Sequence, residues 1–266
     1  MRYYDSHLHT DISFDCKVPI GLQAQAARLA GLDGICVTDH VDLDPYCKKA
    51  YEPYDYDKAL SEFMRFRSIS DIDVRFGVEL GVYSENAGEY LDFIRDKEYD
   101  IIVCSQHYIV DCDPYFRDIY FAGLDRRQAY EKYLLEVLRT IRTFDRFSVL
   151  GHLGYVSRYY PGPEEKKLRY EHFSDIIDEI LKHLIIHGKG LEVNTKGVSD
   201  TGDNLPEQGI VRRYIELGGE IITVGSDAHR TNEVGRHIKE TYDLLISLGA
   251  THVCTFKEMK PEFIRL

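Results

Sequence analysis

The 266-residue chain carries 33 Lys+Arg against 45 Asp+Glu, a formal net charge of −12, with 44% hydrophobic and 29% charged residues. This is ordinary globular composition, and an acidic chain without a basic run excludes a phosphate-backbone groove, leaving no nucleic-acid partner expected. No apolar stretch approaches a membrane span, the N-terminus MRYYDSHLHT lacks an apolar signal segment, and six scattered cysteines form no C-x-x-C pair, so a soluble, cytoplasmic protein with free thiols is expected.

Short β-rich runs alternate with amphipathic stretches along the chain. Arg2–His9 is the first run, and Pro19 then opens a helix over Ile20–Ala30 that stops at Gly31. Gly34–His40, Val74–Gly81 and Tyr99–His107 supply the next three runs. Asp125–Phe144 follows with helical spacing, placing Tyr130, Leu134, Leu138 and Ile141 on one face. After the fifth run, Ser148–Leu153, a helix over Phe173–His187 stops at Gly188. Leu191–Thr195 is the sixth run, Pro206–Leu217 the helix after it, and Glu220–Asp227 the seventh run. Val234–Leu248 reads as a helix ending at Gly249, and His252–Phe256 as an eighth or edge strand. Apolar runs separated by helices imply parallel strands covered on both faces and joined by right-handed crossovers. Seven such units suit a closed or nearly closed barrel. With no linker or repeat in view, one domain is expected over residues 1–266.

The polar residues fall at the strand ends. Asp5, His7 and His9 alternate in the first run and therefore share one strand face. His40, Glu79, His107 and His152 close the second to fifth runs, and Asp227 and His229 close the seventh. A parallel α/β barrel gathers its strand C-termini on one face, where such folds carry their active sites. Imidazole and carboxylate without thiolate suit zinc, manganese or iron. A catalytic ion needs about three protein ligands and an open position, so nine candidates suggest two or three ions with shared bridges. Asp5 and Asp39 are also read as carboxylates that orient an imidazole, and Asp15 qualifies by its position in the loop after the first run.

D-S-H-L-H-T at the start, T-D-H, an isolated Glu79, then S-Q-H, G-H-L and G-S-D-A-H resemble the motifs of the polymerase-and-histidinol-phosphatase (PHP) family. The resemblance covers essentially the whole chain in order, on the stand-alone histidinol-phosphatase branch. It implies a distorted (β/α)7 TIM-like barrel with a centre of three divalent ions, zinc, manganese or iron. It assigns His7, His9, Glu79 and Asp227 to one ion, with Glu79 bridging to a second ion on His107 and His152. Asp15, His40 and His229 would hold the third, where some relatives carry a histidine in place of Asp15.

The activity so implied is hydrolysis of the phosphomonoester L-histidinol phosphate in histidine biosynthesis, by attack of a hydroxide bridging two metals. Arg158, soon after the fifth run, and Lys196, at the end of the sixth, are the expected phosphate cations. Asp42, directly after His40, is the expected partner of the substrate amine or imidazole, and Asp227 or His229 the proton donor to the leaving group. A PHP phosphoesterase acting on nucleotides or small diesters is the alternative enzyme, and a non-catalytic PHP module with a structural or binding role the non-enzymatic one. No G-x-x-x-x-G-K loop, G-x-S-x-G elbow or H-E-x-x-H pair supports another chemistry.

Overall fold

A computed structural model describes residues 1–266. All seven expected runs form strands of one parallel sheet. They are β1 (Tyr4–Leu8), β2 (Gly34–Val37), β4 (Asp73–Leu80), β5 (Ile101–Cys104), β6 (Val149–Leu150), β7 (Gly190–Asn194) and β8 (Ile222–Gly225), ordered β1-β2-β4-β5-β6-β7-β8. The short β3 (His40–Val41) pairs with β4 beyond the end of β2. At their C-terminal ends the outer strands meet, Asp227 N–H donating to His7 O at 2.8 Å and His9 N–H to Ala228 O at 3.0 Å, which nearly closes the barrel.

The strand expected over Gly34–His40 is thus broken at Thr38–Asp39. The cause is Asp39, whose carboxylate accepts from Thr10 N at 2.6 Å, Thr10 Oγ1 at 2.7 Å and Ser13 Oγ at 2.7 Å. These bonds tie the second strand to the loop after β1 and re-aim His40 toward Glu79, its partner in register. Such interruptions commonly turn a side chain toward an active site.

Helices cover the outside. The longest, Arg126–Thr143, starts at Asp125 and Gln128, which form a reciprocal capping box. Its buried Tyr130, Tyr133, Leu134, Val137 and Ile141 pack toward the helix Ser174–Ile186 and its Ile177, Ile180 and Leu184. No helix is long and apolar enough to cross a membrane. The last expected helix begins at Ile238 rather than Val234, because the preceding turn carries His237 at a left-handed φ of 59°.

His252–Phe256 is not an eighth barrel strand. It lies in β9 (His252–Lys257), which pairs antiparallel with β10 (Lys260–Arg265) in a separate hairpin. Cys254 and Phe256 of that hairpin pack with Cys36, Ile101, Val103 and Val149. The hairpin turn is held by Asp100, just before β5, so it plugs the N-terminal end of the barrel. The plug therefore lies opposite the C-terminal strand ends.

Asp5 is part of this frame. It is fully buried and accepts from Ser226 N at 2.8 Å, Ser226 Oγ at 2.5 Å and Gly235 N at 3.0 Å, pinning β1 to the segment after β8. Asp5→Asn sets an amide N–H against one of these donors. The expected loss is about 1–3 kcal/mol of unfolding free energy, read by urea denaturation; a change below about 0.5 kcal/mol would remove Asp5 from the frame.

Candidate metal centre

At the C-terminal face a cavity of about 370 Å³ opens above the strand ends. Seven of the nine expected ligands line it: Asp15, His40, Glu79, His107, His152, Asp227 and His229. The other two, His7 and His9, lie fully buried against its floor. The fold thus brings all nine together from six strand ends and one loop.

Glu79 stands at the centre. Its Oε2 lies 3.2 Å from His7 Nε2, 3.5 Å from His9 Nε2 and 3.1 Å from His40 Nδ1. Its Oε1 lies 2.8 Å from His152 Nε2 and 3.3 Å from His107 Nε2, and accepts from Ser105 Oγ at 2.6 Å. Asp227 Oδ1 lies 3.4 Å from His9 Nε2, and Asp15 Oδ2 lies 3.0 Å from His229 Nε2. A non-glycine φ of 54° at Asp227 produces this reach. Left-handed backbone of this kind costs on the order of 1–3 kcal/mol and clusters at functional sites.

Carboxylates behind the imidazoles set their orientation. His7 Nδ1 meets Glu192 at 2.6 Å, and His107 Nδ1 meets Asp42 Oδ1 at 2.9 Å. His9 Nδ1 meets Ser13 Oγ at 3.1 Å, and Ser13 in turn donates to Asp39. Because that hydroxyl gives its proton to Asp39, His9 must donate from Nδ1, which leaves the Nε2 lone pair facing Glu79 and Asp227. Carboxylate-oriented imidazoles with inward Nε2 are the arrangement metal ligands adopt. Burial, with His229 and His40 beside it, also pushes His9 down to about 3, so its ring is neutral.

The donor set fits cations. Glu79 Oε2, His40 Nδ1, Asp42 Oδ2 and His229 Nε2 are buried without a hydrogen-bond partner. Two pairs of imidazole nitrogens face each other, His7 with His9 at 3.2 Å and His107 with His152 at 3.3 Å. Potential ligand atoms of His7, His9 and Glu79, and of Glu79, His107 and His152, lie within 4.8 Å of one another. So do those of His9, His40 and His229. Six carboxylates and only two permanent cations line the cavity, a surplus of negative charge that divalent ions would balance.

Arg158 and Lys196 are those two cations. Arg158 Nε donates to Asp200 at 2.8 Å, and its Nη1 lies 3.4 Å from Asp227 Oδ2. Lys196 Nζ donates to Glu233 at 3.1 Å. Both stand on the Asp227 side of the cavity. Asp42 lines the cavity as well, but its oxygens face His107 and His40 at 2.9 and 3.2 Å. The structure thus places the expected substrate contact Asp42 with both carboxylate oxygens against imidazole rings. An added Cβ at Gly81 would collide with that carboxylate, so the glycine keeps its place open.

Sequence reasoning missed Glu192, whose other oxygen accepts from His152 N at 2.7 Å. Its signal was a lone carboxylate within the apolar run L-E-V-N of β7. It also missed Asp113, which lines the same cavity from the loop after His107.

Residues 5–196 match the PHP domain. The chain belongs to the PHP family. A PHP relative from Clostridium acetobutylicum, named a probable histidinol-phosphatase, is 34% identical over 239 residues, 89% of this chain and 90% of that one. The histidinol-phosphatase of Lactococcus lactis subsp. lactis is 28% identical over 269 residues, 98% of this chain and 96% of the relative. A crystal structure of histidinol phosphate phosphatase from that organism, complexed with zinc, L-histidinol and phosphate, aligns with a TM-score of 0.90 at 26% identity. The alignment covers 98% of this chain and 99% of the other. The PHP-type barrel expected from the motifs is the fold observed. Asp227 and His229 lie beyond the matched residues 5–196, yet the barrel returns them to the centre.

Proposed function

We infer that this chain is an L-histidinol-phosphate phosphatase, hydrolysing the phosphomonoester to L-histidinol and inorganic phosphate with divalent metal. One observation carries the reading: the chain aligns end to end with a phosphatase complexed with zinc, L-histidinol and phosphate. The cavity chemistry supports it, with convergent metal-ligand atoms beside two cations suited to phosphate.

We assign His7, His9, Glu79 and Asp227 to one ion and His107 and His152, with Glu79 shared, to a second. Asp15, His40 and His229 take the third. Zinc, manganese or iron suits this mixture of nitrogen and oxygen donors. When bound, such ions lower the pKa of coordinated water and neutralise charge on the phosphoryl oxygens. Arg158 and Lys196 hold those oxygens from the Asp227 side, and Asp227 or His229 relays the proton given up by the attacking water to the leaving alkoxide. The barrel, its helices and the plugging hairpin act as one domain over residues 1–266.

The test is phosphate release by metal-replete protein from L-histidinol phosphate, beside AMP and bis-p-nitrophenyl phosphate. Selective turnover of histidinol phosphate at roughly 10⁴ M⁻¹s⁻¹ or above is expected of a dedicated enzyme. Preference for AMP or the diester would overturn the substrate and keep the PHP assignment. Arg158→Ala should raise KM and lower kcat/KM by roughly 10- to 100-fold with metal content unchanged; an unaltered kcat/KM would take Arg158 out of phosphate binding.

A further inference from the structure

The seam that closes the barrel is thin. Between β1 and the segment after β8, Leu8 and Ala228 form an isolated parallel bridge, carried by Asp227 N–H to His7 O and His9 N–H to Ala228 O. Yet this seam sets His9 against Asp227 and His229, which stand on the two strand ends it joins. His9 belongs to two of the convergent ligand groups, one with His7 and Glu79 and one with His40 and His229. Its ring is also stacked between those of His40 and His229, at centroid distances of 4.3 and 4.1 Å. A slip of β1 against β8 would disturb both groups at once.

Gln23 reaches the seam from the helix Ile20–Leu29. The buried stripe of that helix is Ile20, Gln23, Ala24 and Ala27, so one amide stands at an otherwise apolar face. Gln23 is fully buried and donates from Nε2 to His9 O at 2.6 Å. The same nitrogen lies 3.4 Å from Ala228 O, so one side chain grips both sides of the seam. Because both contacts are carbonyl acceptors, the amide must present its nitrogen, and Oε1 is left buried without a hydrogen-bond partner. A buried orphan oxygen destabilises a fold, and methionine would fill the same stripe without one. Packing therefore does not account for the amide; the seam does.

We propose that Gln23 is a positioning residue for the metal centre, locking the register of the β1–β8 seam and with it the spacing of His9 from Asp227 and His229. The inference rests on the metal-ligand assignment and not on which phosphate ester is hydrolysed. Gln23 acts through the backbone of His9 and Ala228. The ion on His7, His9, Glu79 and Asp227 and the ion on Asp15, His40 and His229 each take ligands from the strand ends at the seam. The ion on His107, His152 and Glu79 takes none, so its hold is independent of Gln23.

The test compares wild type with Gln23→Met, each stripped and reloaded with zinc, by chelator competition. Melts of the metal-free proteins and visible spectra of the cobalt-loaded ones accompany it. Methionine removes the orphan oxygen along with the donor, and His9 O keeps the Cys16 thiol at 3.6 Å, so metal-free melting should stay within a few degrees. Zinc affinity should weaken about 10- to 100-fold for two ions, with one held as in wild type. The cobalt bands should change, and kcat for histidinol phosphate should fall by a larger factor than KM rises. A metal-free melt lowered by more than about 10 °C with zinc affinity unchanged marks a structural role and overturns the proposal. Unchanged affinity and spectra overturn it too, as does an equal loss at all the ions. Gln23→Leu is the second variant, and failure of both to fold overturns the proposal, since the barrel itself then needs the amide. Wild type that binds no zinc removes the metal centre and the positioning role together. If zinc affinity depends on Gln23 while histidinol phosphate is not hydrolysed, the positioning role stands and the proposed function falls.

Discussion

Glu79→Gln is expected to lower kcat/KM by roughly a hundred- to several-thousandfold while the barrel stays folded. The carboxylate is buried among five imidazoles, with both oxygens facing ring nitrogens. Glutamine has nearly the same volume, so packing is preserved. It removes the negative charge and turns an N–H₂ donor toward nitrogens or ions that need an acceptor. Breaking a buried charge arrangement from one side costs roughly 3–5 kcal/mol, which corresponds to that rate range if carried into the transition state. Steady-state kinetics with metal analysis of the purified variant checks this. Activity within tenfold of wild type, with full metal content, would remove Glu79 from the bridging position. Glu192→Gln touches the same assembly from behind, through His7 and the backbone of His152. A loss of about 10- to 100-fold in metal affinity is expected there, read by competition with a chromogenic chelator.

The strands were legible because their cause is local. Apolar runs such as IIVC in β5 and ITVG in β8 are bounded by turn residues, and the imidazoles at their ends stand out against them. Helix ends at Gly31, Gly188, Gly218 and Gly249 were equally plain, since each glycine takes the positive φ that a helix C-terminus favours. What escaped depends on partners distant in sequence. The break at Thr38–Asp39 follows from hydrogen bonds to Thr10 and Ser13. The hairpin at the C-terminus reads as a barrel strand until Cys254 and Phe256 are seen to fill the barrel's lower end. Asp42 and Asp113 show the limit for the site. Both are acidic loop residues just past a candidate ligand, and nothing in their local sequence tells which one is already taken by histidines. The cavity separates them: Asp42 is bound to His107, and Asp113 to no cation.

Chelation should abolish turnover reversibly and lower the melting temperature by an amount that grows with pH. The sign follows from the protons the centre holds without metal. Burial opposes protonation of His40, yet Glu79, Asp15 and Asp42 raise it to about 9. His7 and His107 are likewise raised against burial, by Glu192 with Glu79 and by Asp42 with Glu79. A raised imidazole contributes stability that is complete below its unfolded value near 6.5 and is lost as pH rises through its folded value. Metal-free protein should therefore weaken from about pH 6.5 upward. Metal-loaded protein should do the reverse, because ions compete with protons for the same nitrogens and win more easily as pH rises. At a thousandfold excess over the dissociation constant, one bound ion stabilises by about 4 kcal/mol, roughly 10 °C for a chain of this size. Melts with zinc and with chelator at about pH 6 and about pH 8.5 check the divergence. Parallel curves would mean that the imidazoles are not the groups the ions displace. Graded chelator should also strip one ion ahead of the others. The Asp15 side chain is 39% exposed while Glu79 is 1% exposed, so an ion held by Asp15, His40 and His229 would have the loosest hold and is expected to leave first.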